Sequence, residues 1–269
     1  LGDDPILALA IEKSMMLGTD EFVRSLPSED IELDGDIIPS VSDDDYAAIV
    51  KEFQMAEIEG GNASQVIISR RFTGKIKNMD TARLLSVYRR LLGSYGQYMT
   101  VLFANPQDGQ YIIGATPERH LEVTGNETIM VPIAGTLRKE DQATFEGRLV
   151  NFLNDKKEIS ELFQVVDEEL KVMGVIAPEG GAVRGPFLRE VGAVVHTEYE
   201  LAGKRCINSI DALRETFHAP TVVGSPMESA ARIIAKYETE SRRYYAGEVG
   251  VYKQSRSAGP DGDLDTAIL

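Results

Sequence analysis

Two spacings of hydrophobic residues alternate along this chain, and the places where one gives way to the other mark its elements. From Asp43 the run DDDYAAIVKEFQMAEIEGG carries apolar positions three and four apart behind three aspartates, which predicts a helix ending at Gly60 and Gly61. QVIISRRFTGKI alternates and is rich in β-branched residues, so it is read as one strand. Asp80 is placed to cap TARLLSVYRRLLGSYG, whose Leu84, Tyr88, Leu91 and Leu92 share a helical face, with Gly93 as the stop. YMTVLFANPQDGQYIIGA predicts a hairpin turning between Asn105 and Gly109, and HLEVTGNETIMVPIAGT a second hairpin turning near Gly125 and Asn126. Ala143 to Met173 has no glycine or proline after Gly147 and predicts a long helix broken once. A strand pair, GAVRGPFL and GAVVHTEYELAG, precedes helices at Ser209 to Phe217 and Pro226 to Tyr237 and a last strand, YYAGEVGVY. Hairpins mixed with amphipathic helices imply an α+β fold of antiparallel sheets with helices on the outer faces.

Residues 1–42 read as an acidic N-terminal arm or remnant with a short helical pattern around Ile6 to Met16, and residues 43–269 as the main domain. The pattern runs out inside an apolar strand, DTAIL, so the domain is expected to be C-terminally incomplete. No run approaches the ~20 apolar residues that span a bilayer, and no basic-then-apolar leader opens the chain. The expected compartment is the cytoplasm. Acidic side chains outnumber basic ones 43 to 28, a formal charge of -15, which argues against nucleic acid or an anionic membrane as a partner. The single cysteine, Cys206, allows no internal disulfide and no multi-thiolate metal site, and is read as a buried, inert thiol.

Three features could carry chemistry. Glu158 and Glu161 lie one turn apart among Leu153, Ile159, Leu162 and Val165, and Val165 and Glu168 continue the same face. Paired carboxylates on a half-apolar face call for a cation such as Mg²⁺; the plainer reading is a solvated acidic face beside Lys156 and Lys157. Glu118 in GATPERHL stands at a strand end, where burial would make it a general acid; the plainer reading is a surface turn carboxylate. His196 in VVHTEYEL is either a base or a satisfied strand histidine.

Taken in order, SQVIISRRF, GATPERHL, VPIAGT, DKKEISEL, VVHTEYEL, APTVVGSP and RRYYAGEVGVY resemble the motifs of the chorismate-binding superfamily, over Asp43 to Leu269. That superfamily includes anthranilate, aminodeoxychorismate, isochorismate, salicylate and aminodeoxyisochorismate synthases. The resemblance implies two packed antiparallel sheets with outer helices. It also implies that Glu118 protonates the departing C4 hydroxyl, that Glu161 binds Mg²⁺ with Glu158 in support, and that Thr221 and Tyr245 contact the substrate carboxylates. Gly135 and Thr136 of VPIAGT, Gly224 and Gly247 fall beside substrate by the same resemblance. His196 matches the histidine that serves pyruvate elimination in anthranilate synthases.

Two positions bear on the reaction. Isochorismate and salicylate synthases resemble this chain but carry a lysine where it has Gln65; neutral ammonia needs no such base, which favours amination over hydration. Aminodeoxychorismate synthases carry a nucleophilic lysine in PIKGT, and Ala134 stands there here, so amination is expected at C2. VVDEELKVM and APTVVGSPMESA depart from the anthranilate synthase pattern toward the aminodeoxyisochorismate synthases of phenazine and enediyne pathways. The resemblance thus implies a 2-amino-2-deoxyisochorismate synthase of secondary metabolism and antibiotic biosynthesis. Its ammonia would come from a class I glutamine amidotransferase, fused or separate, and a homodimer is compatible with it. The alternatives are an anthranilate synthase large component and a non-catalytic acidic interaction subunit. The carboxylate-binding arginine and a second Mg²⁺ glutamate are expected beyond Leu269.

Overall fold

The computed structural model describes residues 15–95, 99–105, 109–140, 143–204, 206–253 and 266–268. Most of the Ile6 to Met16 pattern lies outside the described residues. The chain opens with α1 (Thr19–Ser25), β1 (Ile38–Pro39) and α2 (Asp43–Phe53). Ser42 caps α2 by accepting from the Asp45 N–H, and the three aspartates of its first turn oppose the positive helix end. One π-helical turn, Gln54–Ile58, continues α2 before the chain turns at Gly60 and Gly61.

The run read as a single strand is ladder-bonded only at its ends, as β2 (Gln65–Val66) and β3 (Phe72–Thr73). Between them side chains take the backbone acceptors: Tyr46 donates to the Ile68 carbonyl at 2.8 Å, and Arg242 donates to the Ile67 carbonyl. α3 (Thr81–Tyr95) starts with Asp80 accepting from the Arg83 N–H at 2.8 Å. It buries Leu84 and Tyr88 but runs through Gly93, a glycine costing an interior helix only about 1 kcal/mol.

β4 (Met99–Asn105) and β5 (Gln110–Thr116) form the first hairpin, with residues 106–108 of its turn outside the described residues. β6 (Arg119–Thr124) and β7 (Glu127–Val131) form the second across Gly125 and Asn126. β8 (Ile133–Arg138) leads to α4 (Phe145–Asn154) and α5 (Lys156–Ile176), separated at Asp155, whose side chain caps α5. β9 (Gly181–Val191), β10 (Val194–Lys204) and α6 (Ser209–Thr216) follow. α7 (Pro220–Val223) is a single turn that proline opens, too short to carry a helical periodicity in the sequence. β11 (Gly224–Ser225), α8 (Met227–Tyr237), β12 (Val251–Lys253) and β13 (Thr266–Ile268) complete the order. YYAGEVGVY becomes a strand only from Val251. Upstream the chain turns, with Arg243 and Ala246 in the left-handed region.

The principal sheet has seven antiparallel strands in the order β12-β13-β6-β7-β10-β8, with β9 on the other edge of β10. β7 and β8 lie end to end on one edge of β10, meeting at Pro132. α5 covers this sheet, and Leu162, Val165, Val166, Met173 and Ile176 join Leu121, Val123, Met130 and Leu201 in the main core. A second core gathers Phe53, Val66, Val223, Ala230 and Ile233 from α2, β2, α7 and α8. β1–β3, β2–β11 and β4–β5 are further antiparallel pairs, so the α+β antiparallel expectation is met. The acidic arm docks on α3, where Arg89 donates to the Leu26 carbonyl at 2.6 Å and the Glu29 N–H donates to Ser86 at 2.8 Å. No described helix is long and apolar enough to cross a membrane. Cys206 is half-buried, not enclosed, and burial pushes its thiol up.

Candidate active site

Glu118 sits in the link between β5 and β6. Thr221 on α7 donates to its Oε2 at 2.7 Å. Its Oε1 is shut off from solvent and meets no donor among the described residues, although the residue as a whole is only half-buried. Burial pushes its carboxyl up to about 7, with the Thr221 hydrogen bond partly opposing. Such a group is an acid at neutral pH, which a turn carboxylate on the surface is not.

Gln65 and Gly224 meet in the β2–β11 pair, where Gly224 opposes Val66 and Ser225 opposes Gln65. A side chain at residue 224 would place its Cβ 2.2 Å from the Gln65 carbonyl, and φ there is +130°, so glycine is required. The Gln65 Oε1 is buried without a partner among the described residues. Ser225 in turn donates to Glu168 of α5 at 2.9 Å.

Further along the same helix lies a second cluster. The β8–β10 ladder pairs His196 with Thr136 and Thr197 with Ala134, which leaves Gly135 as an extra, bulged residue with φ +42°. The bulge brings the backbone close to α5: a Cβ on Gly135 would stand 3.0 Å from Glu158 Oε2. His196 Nδ1 lies 3.2 Å from both the Gly135 carbonyl and the Thr136 hydroxyl. Donation to the carbonyl puts the proton on Nδ1 and the lone pair on Nε2. Burial lowers the His196 pKa, with the Gly135 contact partly opposing, so the ring is a neutral base.

Glu158 and Glu161 converge on one cationic atom. Lys157 Nζ stands 3.0 Å from Glu158 Oε1 and 2.7 Å from Glu161 Oε2. Among the described residues no group of three or more His, Cys, Asp or Glu is placed to hold a metal ion. Two carboxylates nevertheless fit Mg²⁺, which commonly takes one or two and completes its octahedron with water and substrate oxygens. The ammonium that bridges them belongs to a side chain 71% exposed, which can swing aside.

Tyr245 and Gly247 belong to the segment between α8 and β12. Tyr245 packs on the Arg242 guanidinium, 5.3 Å from the ring centroid, in a groove of about 470 Å³ lined also by Ser69, Arg70 and Glu238. Neither Glu118 nor Glu161 lines that groove. The 243–247 turn is tied to the α6–α7 link by His218 Nδ1, 2.7 Å from the Ala246 carbonyl.

Four buried or half-buried groups escaped the sequence reading. His120, 5% exposed, contacts Thr216 at 3.0 Å and is brought down to about 4 by burial and then by His218. His218 also lies 3.7 Å from Glu248. Glu169 is 1% exposed, and burial, then the charge on Glu118, push its carboxyl well above the usual range. Its signal was present: Leu162, Val165, Val166, Met173 and Ile176 mark a buried stripe on which residue 169 falls.

Residues 19–269 match the family model for chorismate binding enzymes. A phenazine-specific anthranilate synthase of Pseudomonas chlororaphis is 37% identical over 99% of this chain and 41% of its own length. Anthranilate synthase component 1 of Spirochaeta aurantia is 34% identical over 87% of the chain and 48% of its own length. This chain therefore spans less than half the length of these curated relatives. Among solved structures, anthranilate synthase component I of Streptococcus pneumoniae TIGR4 superposes with a TM-score of 0.71 at 25% identity, covering 91% of this chain and 51% of that one. The menaquinone-specific isochorismate synthase of Escherichia coli shares the fold, with a TM-score of 0.72 at 16% identity, over 93% of this chain and 56% of that one. A family match over nearly the whole chain, the antiparallel sheet beneath α5 and the enclosed acid at Glu118 lead to one assignment: the chain belongs to the chorismate binding enzymes.

Proposed function

We propose that this chain is the chorismate-aminating region of a 2-amino-2-deoxyisochorismate synthase, which adds ammonia at C2 and expels the C4 hydroxyl. The observation that carries the reading is Glu118, an enclosed carboxyl with a pKa of about 7, held on one oxygen by Thr221. Hydroxide leaves poorly, so an acid still protonated near neutrality is what the displacement needs. The ammonia lone pair forms the C2–N bond, both ring double bonds shift by one position toward C4, and the C4–O bond breaks as oxygen takes the Glu118 proton. The nitrogen then sheds one proton, so chorismate and ammonia give the amine and water. Mg²⁺ held by Glu161 and Glu158 would anchor the ring carboxylate and draw electron density from the ring. Gln65 offers no base for a water nucleophile, and Ala134 offers no amine to intercept C2.

Ammonia is mostly ammonium at neutral pH, so delivery from glutamine by a class I amidotransferase domain or subunit belongs to the proposal. The second reading is anthranilate synthase, in which pyruvate elimination follows amination. Neutral, buried His196 favours it, because that step wants a base near C2. Incubating the full-length protein with chorismate, Mg²⁺ and an ammonium salt, then weighing the product by mass spectrometry, separates the two. A nitrogen adduct that keeps its enolpyruvyl group is expected; anthranilate with pyruvate would transfer the assignment to the second reading. No turnover, in wild type and Glu118→Gln alike, would leave a non-catalytic subunit.

A further inference from the structure

Glu169 occupies the buried stripe of α5, where its neighbours at helical spacing are Val165, Val166 and Met173. It is 1% exposed, and neither carboxyl oxygen meets a donor among the described residues. Ionised, a carboxyl so placed would face the full cost of desolvation with nothing to offset it, so the group is a neutral acid with one O–H to donate. A second buried acceptor without a partner among the described residues is Glu118 Oε1, in the link between β5 and β6. α5 also packs against α7, which supplies Thr221 to the other Glu118 oxygen.

From this arrangement we infer that Glu169 is a positioning residue, a neutral acid whose O–H turns onto the Glu118 carboxylate, directly or through one water, once Glu118 has protonated the departing hydroxyl. The inference rests on the amination proposed above. Glu169 keeps its own proton throughout, and the proton that restores Glu118 is the one shed by nitrogen at C2. The charge on Glu118 acts on Glu169, adding to the effect of burial. The other titratable groups on elements packed against α5 include Arg138 on β8, His196, Glu198 and Glu200 on β10, and Asp211, Arg214 and Glu215 on α6. On α5 itself, Glu168 is committed to Ser225 and Lys171.

The test compares Glu169→Gln with Glu169→Leu in the full-length enzyme, assayed with chorismate, Mg²⁺ and ammonium chloride across pH. Glutamine keeps a neutral donor, so kcat within about threefold of wild type and an unmoved alkaline limb are expected. Leucine cannot donate; kcat should fall on the order of ten- to a hundredfold, as for a lost hydrogen bond to a charged group. Its alkaline limb should move to higher pH, because the Glu118 carboxylate loses a stabilising donor. Leucine also removes a buried, unpaired acid, so its melting temperature should match or exceed that of wild type. An unmoved limb in Glu169→Leu would reduce the residue to packing and overturn the inference. Infrared difference spectra of Glu118→Gln without substrate supply a readout that needs no turnover. The carbonyl stretch of a protonated carboxyl should persist at pH 7, and its absence would show Glu169 ionised and overturn the inference as well. If that band is present while wild type makes no amine, the amination has failed and the neutral Glu169 stands.

Discussion

In the proposed amination, one proton on Glu118 would serve both turnover and stability. Its carboxyl rises from an ordinary 4.5 to about 7 because burial penalises the charge more than Thr221 rewards it. A raised acid binds its proton more tightly folded than unfolded. Its stabilising contribution is therefore whole below pH 4.5 and is lost as pH climbs through about 7. The loss is on the order of 3 kcal/mol over that window. Glu118→Gln carries no such proton, so urea unfolding should show the variant gaining on wild type as pH rises from 4.5 to 7. Turnover by wild type should hold over that window and fall only as pH rises above about 7, since only the protonated form can expel hydroxide. Equal pH dependence of stability in both proteins would mean that Glu118 ionises freely and is not the acid.

At the scale of elements, the two clusters are held in register by α5. Glu158 meets the Gly135 bulge at one end and Glu168 meets Ser225 ten residues on, a rise of about 15 Å. Gly135→Ala should break the first meeting, because its Cβ would stand 2.8 Å from Phe152 Cζ, 3.0 Å from Glu158 Oε2 and 3.0 Å from Thr197 Oγ1 at φ +42°. A cost of about 1–3 kcal/mol in denaturant unfolding is expected from the overpacking alone. A tenfold or greater drop in apparent Mg²⁺ affinity should accompany it. Unchanged Mg²⁺ affinity would detach the bulge from the proposed Mg²⁺ site on α5.

How far such elements were legible depends on where their determinants lie. The Gly125–Asn126 turn is local, and the alternation on either side announced it; the one break expected in the long helix had no place until Asp155 was seen to cap α5. The interruption between β2 and β3 is imposed by Tyr46 and Arg242, distant in sequence, so no local pattern recorded it. The turn ahead of β12 needs left-handed Arg243 and Ala246, residue types that give no such signal. The candidate site divides in the same way. Glu118, Glu158 and Glu161 were reached through motif and spacing. Glu169 was passed over although it falls on the buried stripe of Leu162, Val165, Val166, Met173 and Ile176, because that stripe was taken as wholly apolar.

The molecule as a whole carries 15 more negative than positive charges, and any salt will relieve part of that self-repulsion. A specific Mg²⁺ site must therefore be separated from general screening. Binding to the folded state alone adds RT ln(1 + [L]/Kd), about 2.7 kcal/mol at one hundred times Kd. The full-length protein should thus melt higher with Mg²⁺ than with sodium chloride of equal ionic strength, and EDTA should return it to the sodium value. A protein carrying both Glu158→Gln and Glu161→Gln should show the sodium shift only. Lys157 sharpens the test: its ammonium bridges both carboxylates, so Lys157→Met should raise Mg²⁺ affinity by removing a resident competitor. If the double variant keeps the extra Mg²⁺ stabilisation, the ion is bound elsewhere on the acidic surface, and α5 is not its helix.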